Sequence, residues 1–561
     1  MLLTTDDCLL PFPTFPFEPR RLFWHKDAFM NIKFTPCGLL AILIVVLGLG
    51  CQKSKPPVSL APTQLSPDTV VRVHWIGKNR LGIMAGAYYF MRIWELPQST
   101  RLETQTLANL AAAPWHSLSP EYALTNQAPV ALYRLLSDVV WNESYFEIRE
   151  TSNQPAEMIL ALQLDPEHES QWETNLAAVA ESLLGIGPVA APGRGFGWSL
   201  ERRTPPTHIE LSRVGQWTLV SAGPAPNALL AEVTARIQRD HTPYVARTPG
   251  DWLEADVDSP RLAALLPPGW TLPPDLPKVS MAVTGDGGHV LTHAELSFPK
   301  PISLELQPWI IPTNLIHLPV VGFTAARGFK PALASWKTWN DLQIGPPPDQ
   351  ICSWALPGGL FQTYFAAPLP EADNQVRALA ALLLGKTNPW LAAHGYVGFA
   401  LDQDSNGVTW GNSPSLKPFV KAVADGSSSY AYGGLIPETA ARVPTNIFYY
   451  HPSFPELLQQ ISGQTNLVYY HWELTGYRIE SCLYTGQFLS AISRRPPMPL
   501  NSVGAVWLKT IMPRLGNCTT TVSRTGPNQL AFSRRSTVGL TAAELNFLAV
   551  WLESPRFPRL P

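Results

Sequence analysis

Two stretches of this chain, about 200 residues apart, carry the same succession of structural signals. Residues 157–164 (EMILALQL) read as an apolar strand, and Pro166-Glu167 then opens a helix that stops at Gly185. Residues 361–369 (FQTYFAAPL) read the same way, and Pro370-Glu371 opens a helix expected to stop at Gly385. Proline in the first turn, an acid beside it and glycine at the end are start and stop signals with a backbone cause. Paired strands follow at 195–202 (GFGWSLER) and 207–213 (THIELSR), and again at 395–402 (GYVGFALD) and 407–411 (GVTWG). Residues 217–222 lead into a helix at 226–237, and Pro414 is expected to lead into one at about 416–424. Each stretch closes in a hairpin, with turns at 284–287 (TGDG) and 525–528 (TGPN).

This alternation with short antiparallel connections predicts an α+β fold of two tandem related modules, antiparallel sheet with helices, preceded by a short helical region. Residues 69–150 form that N-terminal helical segment, 151–310 the first module and 311–561 the second, with an insertion at 465–495 made of a strand and a long helix. Within 69–150, helices are expected at 85–94, 99–112 (ended by Pro114) and 130–140. Thr541-Ala542-Ala543-Glu544 is a capping box opening the last helix.

Charged residues make up 15% of the chain, well below the usual ~25%. The net charge is -2 and the densest basic spots are pairs, Arg202-Arg203, Arg494-Arg495 and Arg534-Arg535. No basic stripe could neutralise a run of phosphates, so the composition argues against nucleic-acid binding. The 56 prolines are spread evenly, which implies many rigid turns.

Residues 38–51 form an apolar run (GLLAILIVVLGLG) ending at Cys51, followed by Gln52-Lys53-Ser54-Lys55. A core of this length fits a signal segment of roughly 7–15 residues better than a spanning helix of about 20. The run, the small residue Gly50 and the cysteine resemble the signal of a bacterial lipoprotein. That resemblance implies acylation of Cys51, a cell-envelope location with the body outside the cytoplasm, and a membrane partner through the lipid. Gly48 departs from the larger aliphatic residue usual at its place. Residues 1–29 hold four acids and suit a signal n-region poorly; Met30, followed by Lys33, is the expected start. Residues 1–50 are then the signal region and 51–68 a proline-rich tether. Gln52 is not the aspartate that commonly retains lipoproteins in an inner membrane.

Three cysteines remain beyond the signal, Cys352, Cys482 and Cys518, which allows one disulfide at most. Asp402, Asp404 and Asn406, with Gly407, begin like a calcium loop, but Ser413 stands where a bidentate glutamate belongs. Asn406-Gly407 is also a hairpin signal, and a turn is the expectation, with calcium as the alternative. Gly385-Lys386-Thr387 ends like a phosphate loop, yet a helix leads in and Pro389 follows, so it reads as a helix terminus. His289 and His293 share a strand context, about 13 Å apart at strand rise, too far for one zinc.

Residues 445–451 (TNIFYYH) and 465–471 (TNLVYYH) are near copies. Alternation puts Tyr449 and His451 on one face, and Tyr469 and His471 on the equivalent face of the second strand. If the two strands pair, an aromatic–histidine patch able to hold sugar or peptide forms; otherwise they are two strands with tyrosine at the rim. No G-x-S-x-G, S-x-x-K, H-E-x-x-H or C-x-x-C motif occurs, so catalysis has no positive signal. The leading expectation is a binding or structural component of the envelope, with a protein or glycan partner. A hydrolase of glycan or peptide and a carrier of a hydrophobic ligand are the alternatives.

Overall fold

A computed structural model describes residues 66–116, 128–150, 156–190, 196–203, 206–244, 247–248, 250–265, 273, 275–357, 361–393, 397–401, 407–410, 417–437, 454–492, 498–554 and 557–558. The fold is mixed, with one large antiparallel sheet and helices packed against it. The strands are β1 (Thr69–Trp75), β2 (Ser144–Arg149), β3 (Glu157–Gln163), β4 (Val189–Ala190), β5 (Trp198–Arg203), β6 (Pro206–Val214), β7 (Trp217–Gly223), β8 (Leu253–Asp258), β9 (Lys278–Gly285) and β10 (Val290–Ser297). They continue as β11 (Gly322–Arg327), β12 (Gln350–Ala355), β13 (Thr363–Pro368), β14 (Phe399–Leu401), β15 (Val408–Trp410), β16 (Phe419–Asp425), β17 (Ser428–Gly434), β18 (Leu467–Leu474), β19 (Asn517–Gly526) and β20 (Gln529–Ser536).

From one edge the neighbours run β4-β5-β6-β7-β3-β2-β1-β8-β9-β10. From the other they run β14-β15-β16-β17-β13-β12-β11-β18-β19-β20. The two series meet where β10 pairs with β20, from Val290↔Ser536 to Ser297↔Gln529. Both hairpins read from the sequence, at 284–287 and 525–528, are therefore the strands that join at the centre.

The principal helices are α1 (Pro97–His116), α2 (Ala128–Trp141), α3 (Pro166–Leu184), α4 (Ala228–Asp240), α5 (Ala372–Leu382), α6 (Phe454–Ser462), α7 (Thr475–Ile492), α8 (Val503–Ile511) and α9 (Ala542–Leu552). Asp165 caps α3 by accepting from the amides of Glu167 and His168, Pro166 opens it, and Gly185 closes it at φ 68°. Only glycine takes that left-handed φ without a Cβ penalty. Thr541 and Glu544 form the expected capping box of α9.

Alternation along each strand sends successive side chains to opposite faces. On one face Phe323, Trp354, Tyr364, Tyr432, Tyr470 and Trp472 pack beneath Leu457 and Ile461 of α6. The rings of Trp354 and Tyr432 stack at 5.9 Å, and α4 covers Tyr145, Ala161 and Leu219 in the same manner. The other face buries Leu162 against Trp115 of α1 and Trp172 and Val179 of α3. Helices α7, α8 and α9 share a further cluster through Ile479, Leu483, Leu508, Leu545 and Ala549.

Three local expectations are corrected. Residues 419–425 are strand β16, not helix: Gly426, at φ 61°, and Ser427 make a two-residue turn, so β17 takes up the backbone groups of β16. The helix begun by α5 does not stop at Gly385 but passes through a wide turn at Leu383–Thr387 into Asn388–Ala393, with Pro389 tolerated near the start of that last segment. Pro114 lies inside α1, whose last turn also carries the buried Trp115. Residues 465–495 supply β18 and α7, and β18 lies between β11 and β19. No helix among the described residues is long and apolar enough to cross a membrane.

Candidate functional site

Of the site residues expected from sequence, Tyr469 and His471 lie in β18, whereas Cys51, Asp402, Asp404, Asn406, Tyr449 and His451 fall outside the described residues. The rings of Tyr469 and His471 stack on one face with centroids 6.4 Å apart. At these positions β11 occupies one edge of β18 and β19 the other, so β18 has no free edge for a further strand.

Cross-strand register brings a polar row to that face. His471 stands opposite Thr324 and Thr520, and Thr520 stands opposite Arg534. The Thr324 hydroxyl lies 2.8 Å from His471 Nδ1, and His471 Nε2 lies 3.4 Å from Glu473 Oε2, long for a hydrogen bond. Glu473 is buried and accepts from the Ala542 amide at 2.7 Å and the Thr475 hydroxyl at 3.1 Å. Burial works to raise its carboxyl, but the His471 contact and the Ala542 amide prevail and hold it below the ordinary value. Hydroxyl, imidazole and carboxylate stand in the order used to activate a nucleophile. Glu473, however, is engaged at the start of α9, where it serves the helix N-terminus.

A second ionic group is buried beyond the seam. Arg72 Nη2 lies 2.6 Å from Asp256 Oδ2, and Arg247 also pairs with Asp256. His74 Nε2 lies 3.0 Å from Glu143, its ring stacks on Tyr244 at 3.4 Å, and the Tyr244 hydroxyl donates to the same carboxylate at 2.6 Å. Burial works to raise Glu143, but those two hydrogen bonds outweigh it and leave it below its ordinary value. The charges here satisfy one another, as buried charges must.

One cleft, of about 600 Å³, lies where the central strands end, on the face opposite His471. Both strand series contribute: His289 from the β9–β10 turn on one side, and Leu474, Tyr477, Glu480, Met512, Leu515, Asn517, Thr519 and Arg535 on the other. Arg535 Nη2 donates to Asp286 Oδ2 at 2.9 Å, and Asp286 also accepts from the amides of Gly288 and His289. Burial, and then the Arg535 charge, push the His289 imidazole below its ordinary value. Burial opposes the charge on Asp286, but Arg535 and the two amides prevail and hold that carboxyl low.

Sequence reading did not find this cleft, because its residues come from segments that share no local pattern. Cys352, Cys482 and Cys518 are free thiols, and burial pushes Cys352 up to about 12. Among the described residues no group of three or more His, Cys, Asp or Glu side chains could hold a metal ion. Compared with known proteins, the chain matches no family, no curated protein and no solved structure.

Proposed function

We propose that this chain is a lipid-anchored protein of the bacterial cell envelope with a binding or structural role, its body built from two related tandem halves. The observation that carries this reading is the strand order, which repeats ten by ten from the two edges to the β10–β20 pair. It supports drawing the halves as 69–297 and 322–536, so that the first begins with β1 and not at residue 151. A duplicated body whose halves join edge to edge, with a cleft lined from both sides of the join, suits holding a ligand or partner. The buried ionic groups described above are spent on one another, which leaves them poorly placed for turnover. Membrane attachment through Cys51 rests on the signal resemblance alone.

The Thr324–His471–Glu473 order favours a hydrolase as the second reading. Assay of the purified full chain against chromogenic glycosides, esters and peptides separates the two. We expect no turnover; turnover abolished by His471→Ala would replace the binding reading with the hydrolase.

A further inference from the structure

The turn after α3 exposes an apolar stretch that the fold does not require. Residues 183–190 read Leu-Leu-Gly-Ile-Gly-Pro-Val-Ala, with no charged or hydrogen-bonding side chain. Leu183 is 37% exposed, Ile186 41% and Val189 69%. Single apolar residues on a surface are ordinary, but an uninterrupted exposed run marks a place of contact. Val130, 53% exposed, stands at the same end of the helical layer: Ala128 of α2 packs with Val179 of α3, and Trp115 Nε1 donates to Ser182 Oγ at 3.0 Å. The corresponding turn of the second half is polar. After α5 it carries Lys386 and Asn388, and the Asn388 side chain holds the Phe399 amide at 2.6 Å and the Phe399 carbonyl at 2.7 Å.

What the apolar turn meets follows from where the chain enters the fold. Arg261 donates to the carbonyls of Pro67 at 2.7 Å, Asp68 at 3.1 Å, and Glu150, which fixes the chain just ahead of β1. From that point the register runs from Thr69 to Arg149 and Glu157, and alongside from Met158 to Ala222 and Ile209. Leu184 packs in the cluster that includes Ile209. The end of α3 therefore lies on the same rim of the sheet as the entry point, four strands away, or about 20 Å. Residues 52–65 can span at most about 50 Å. A chain held at the membrane ahead of them keeps this rim within reach of the bilayer surface.

We propose that residues 183–190 form a membrane-contact loop, with Ile186 and Val189 seated in the headgroup region of the bilayer to which the chain is tethered. Burial of apolar side chains at that depth adds to the anchor, as in other surface-lying segments. This deepens the anchored reading and rests on it, and it gives the body an orientation, with the rim that carries β1's first residue turned to the lipid.

The test is flotation and fluorescence quenching of the membrane-attached full chain in vesicles of phosphatidylethanolamine and phosphatidylglycerol. An environment-sensitive dye is placed on Ile186→Cys, on Val189→Cys, or on Ile83→Cys, a residue 86% exposed beyond the opposite end of β1. The unsubstituted chain, labelled in the same way, gives the blank for the native thiols. We expect lipids with a nitroxide near the headgroup to quench the dyes at Ile186 and Val189 by at least half and the dye at Ile83 little. A chain that floats with the vesicles but shows equal quenching at the three positions, or none at Ile186 and Val189, overturns the loop and leaves the anchor standing. A chain that does not float overturns both. Dye brightening that rises with protein concentration before vesicles are added would assign the loop to a second copy of the chain and likewise overturn the proposal.

Discussion

Ser533 and His293 face one another across β10 and β20, with Ser533 Oγ 3.3 Å from His293 Nδ1. This strand pair is the only one among the described residues that joins the ten strands before residue 300 to the ten after residue 320. The side chains at its middle thus sit where the whole sheet is held together.

Burial pushes the His293 imidazole below its ordinary value, and its register partners Ala282 and Ser533 carry no charge. An unfolded chain takes up that proton below about pH 6.5, while the folded chain resists it until lower pH. Stability should therefore be complete above that pH and fall on acidification. His289, lowered by burial and by Arg535, acts with the same sign. Melting curves from pH 7 to pH 5 should show a smaller loss for His293→Gln than for the parent. Equal losses would show that the seam histidine does not titrate with folding.

Asp251 behaves in the opposite sense. Burial, and then the Glu254 charge, push its carboxyl up to about 7, against the pull of Arg247. The folded chain keeps the proton where the unfolded chain has released it, near pH 4, so stability is lost as pH rises from about 4 through 7. Asp251→Asn should raise the melting temperature at pH 8 and change it little at pH 4. A lower melting temperature at pH 8 would mean that the charged carboxylate stabilises the fold.

Arg534 gives Nε to Thr520 at 2.7 Å and Nη2 to Glu544 at 2.9 Å, with its side chain 5% exposed. Removing one partner of a buried pair leaves the other charge unmatched, at a cost of about 3–5 kcal/mol. Urea unfolding of Arg534→Met should show a loss of that size, partly recovered by adding Glu544→Gln. A loss under about 1 kcal/mol would place the pair in the weak surface class.

Gly285 has no room for a side chain. A Cβ there would fall on the Trp252 ring and within 2.5 Å of the Gly86 carbonyl oxygen. The same turn gives the Gly287 amide to Gly86 at 2.7 Å and receives the Tyr89 amide at 3.1 Å, which docks the segment before α1. Gly285→Ala should cost about 1–3 kcal/mol through overpacking. Faster hydrogen exchange at the Tyr89 amide would localise the damage; unchanged exchange would argue against that docking.

The sequence was legible where a signal was local and backbone-driven. Asp165, Pro166 and Gly185 marked α3 because capping and positive φ demand those residues. Apolar strands β3 and β13, and both central hairpin turns, were readable for the same kind of reason. Residues 419–425 were misread because alanine, valine and lysine suit either period, and the deciding fact was the pairing with β17. The strand order was invisible, since β10 meets β20 across more than 200 residues. Tyr469 and His471 were found by alternation, but Thr324, Glu544 and Arg534 reach the same face from other strands and a distant helix. Nothing in the order of residues ties Arg535 to His289 or Glu480, and only the fold makes that cleft.

The most direct measurement is the intact mass and membrane fractionation of the full chain expressed in a bacterial host, beside Cys51→Ala. The envelope role requires a mature N-terminus at Cys51 carrying acyl mass, with the mutant released from the membrane fraction or left unprocessed and without acyl mass. An unmodified Cys51, with both forms fractionating alike, would contradict it.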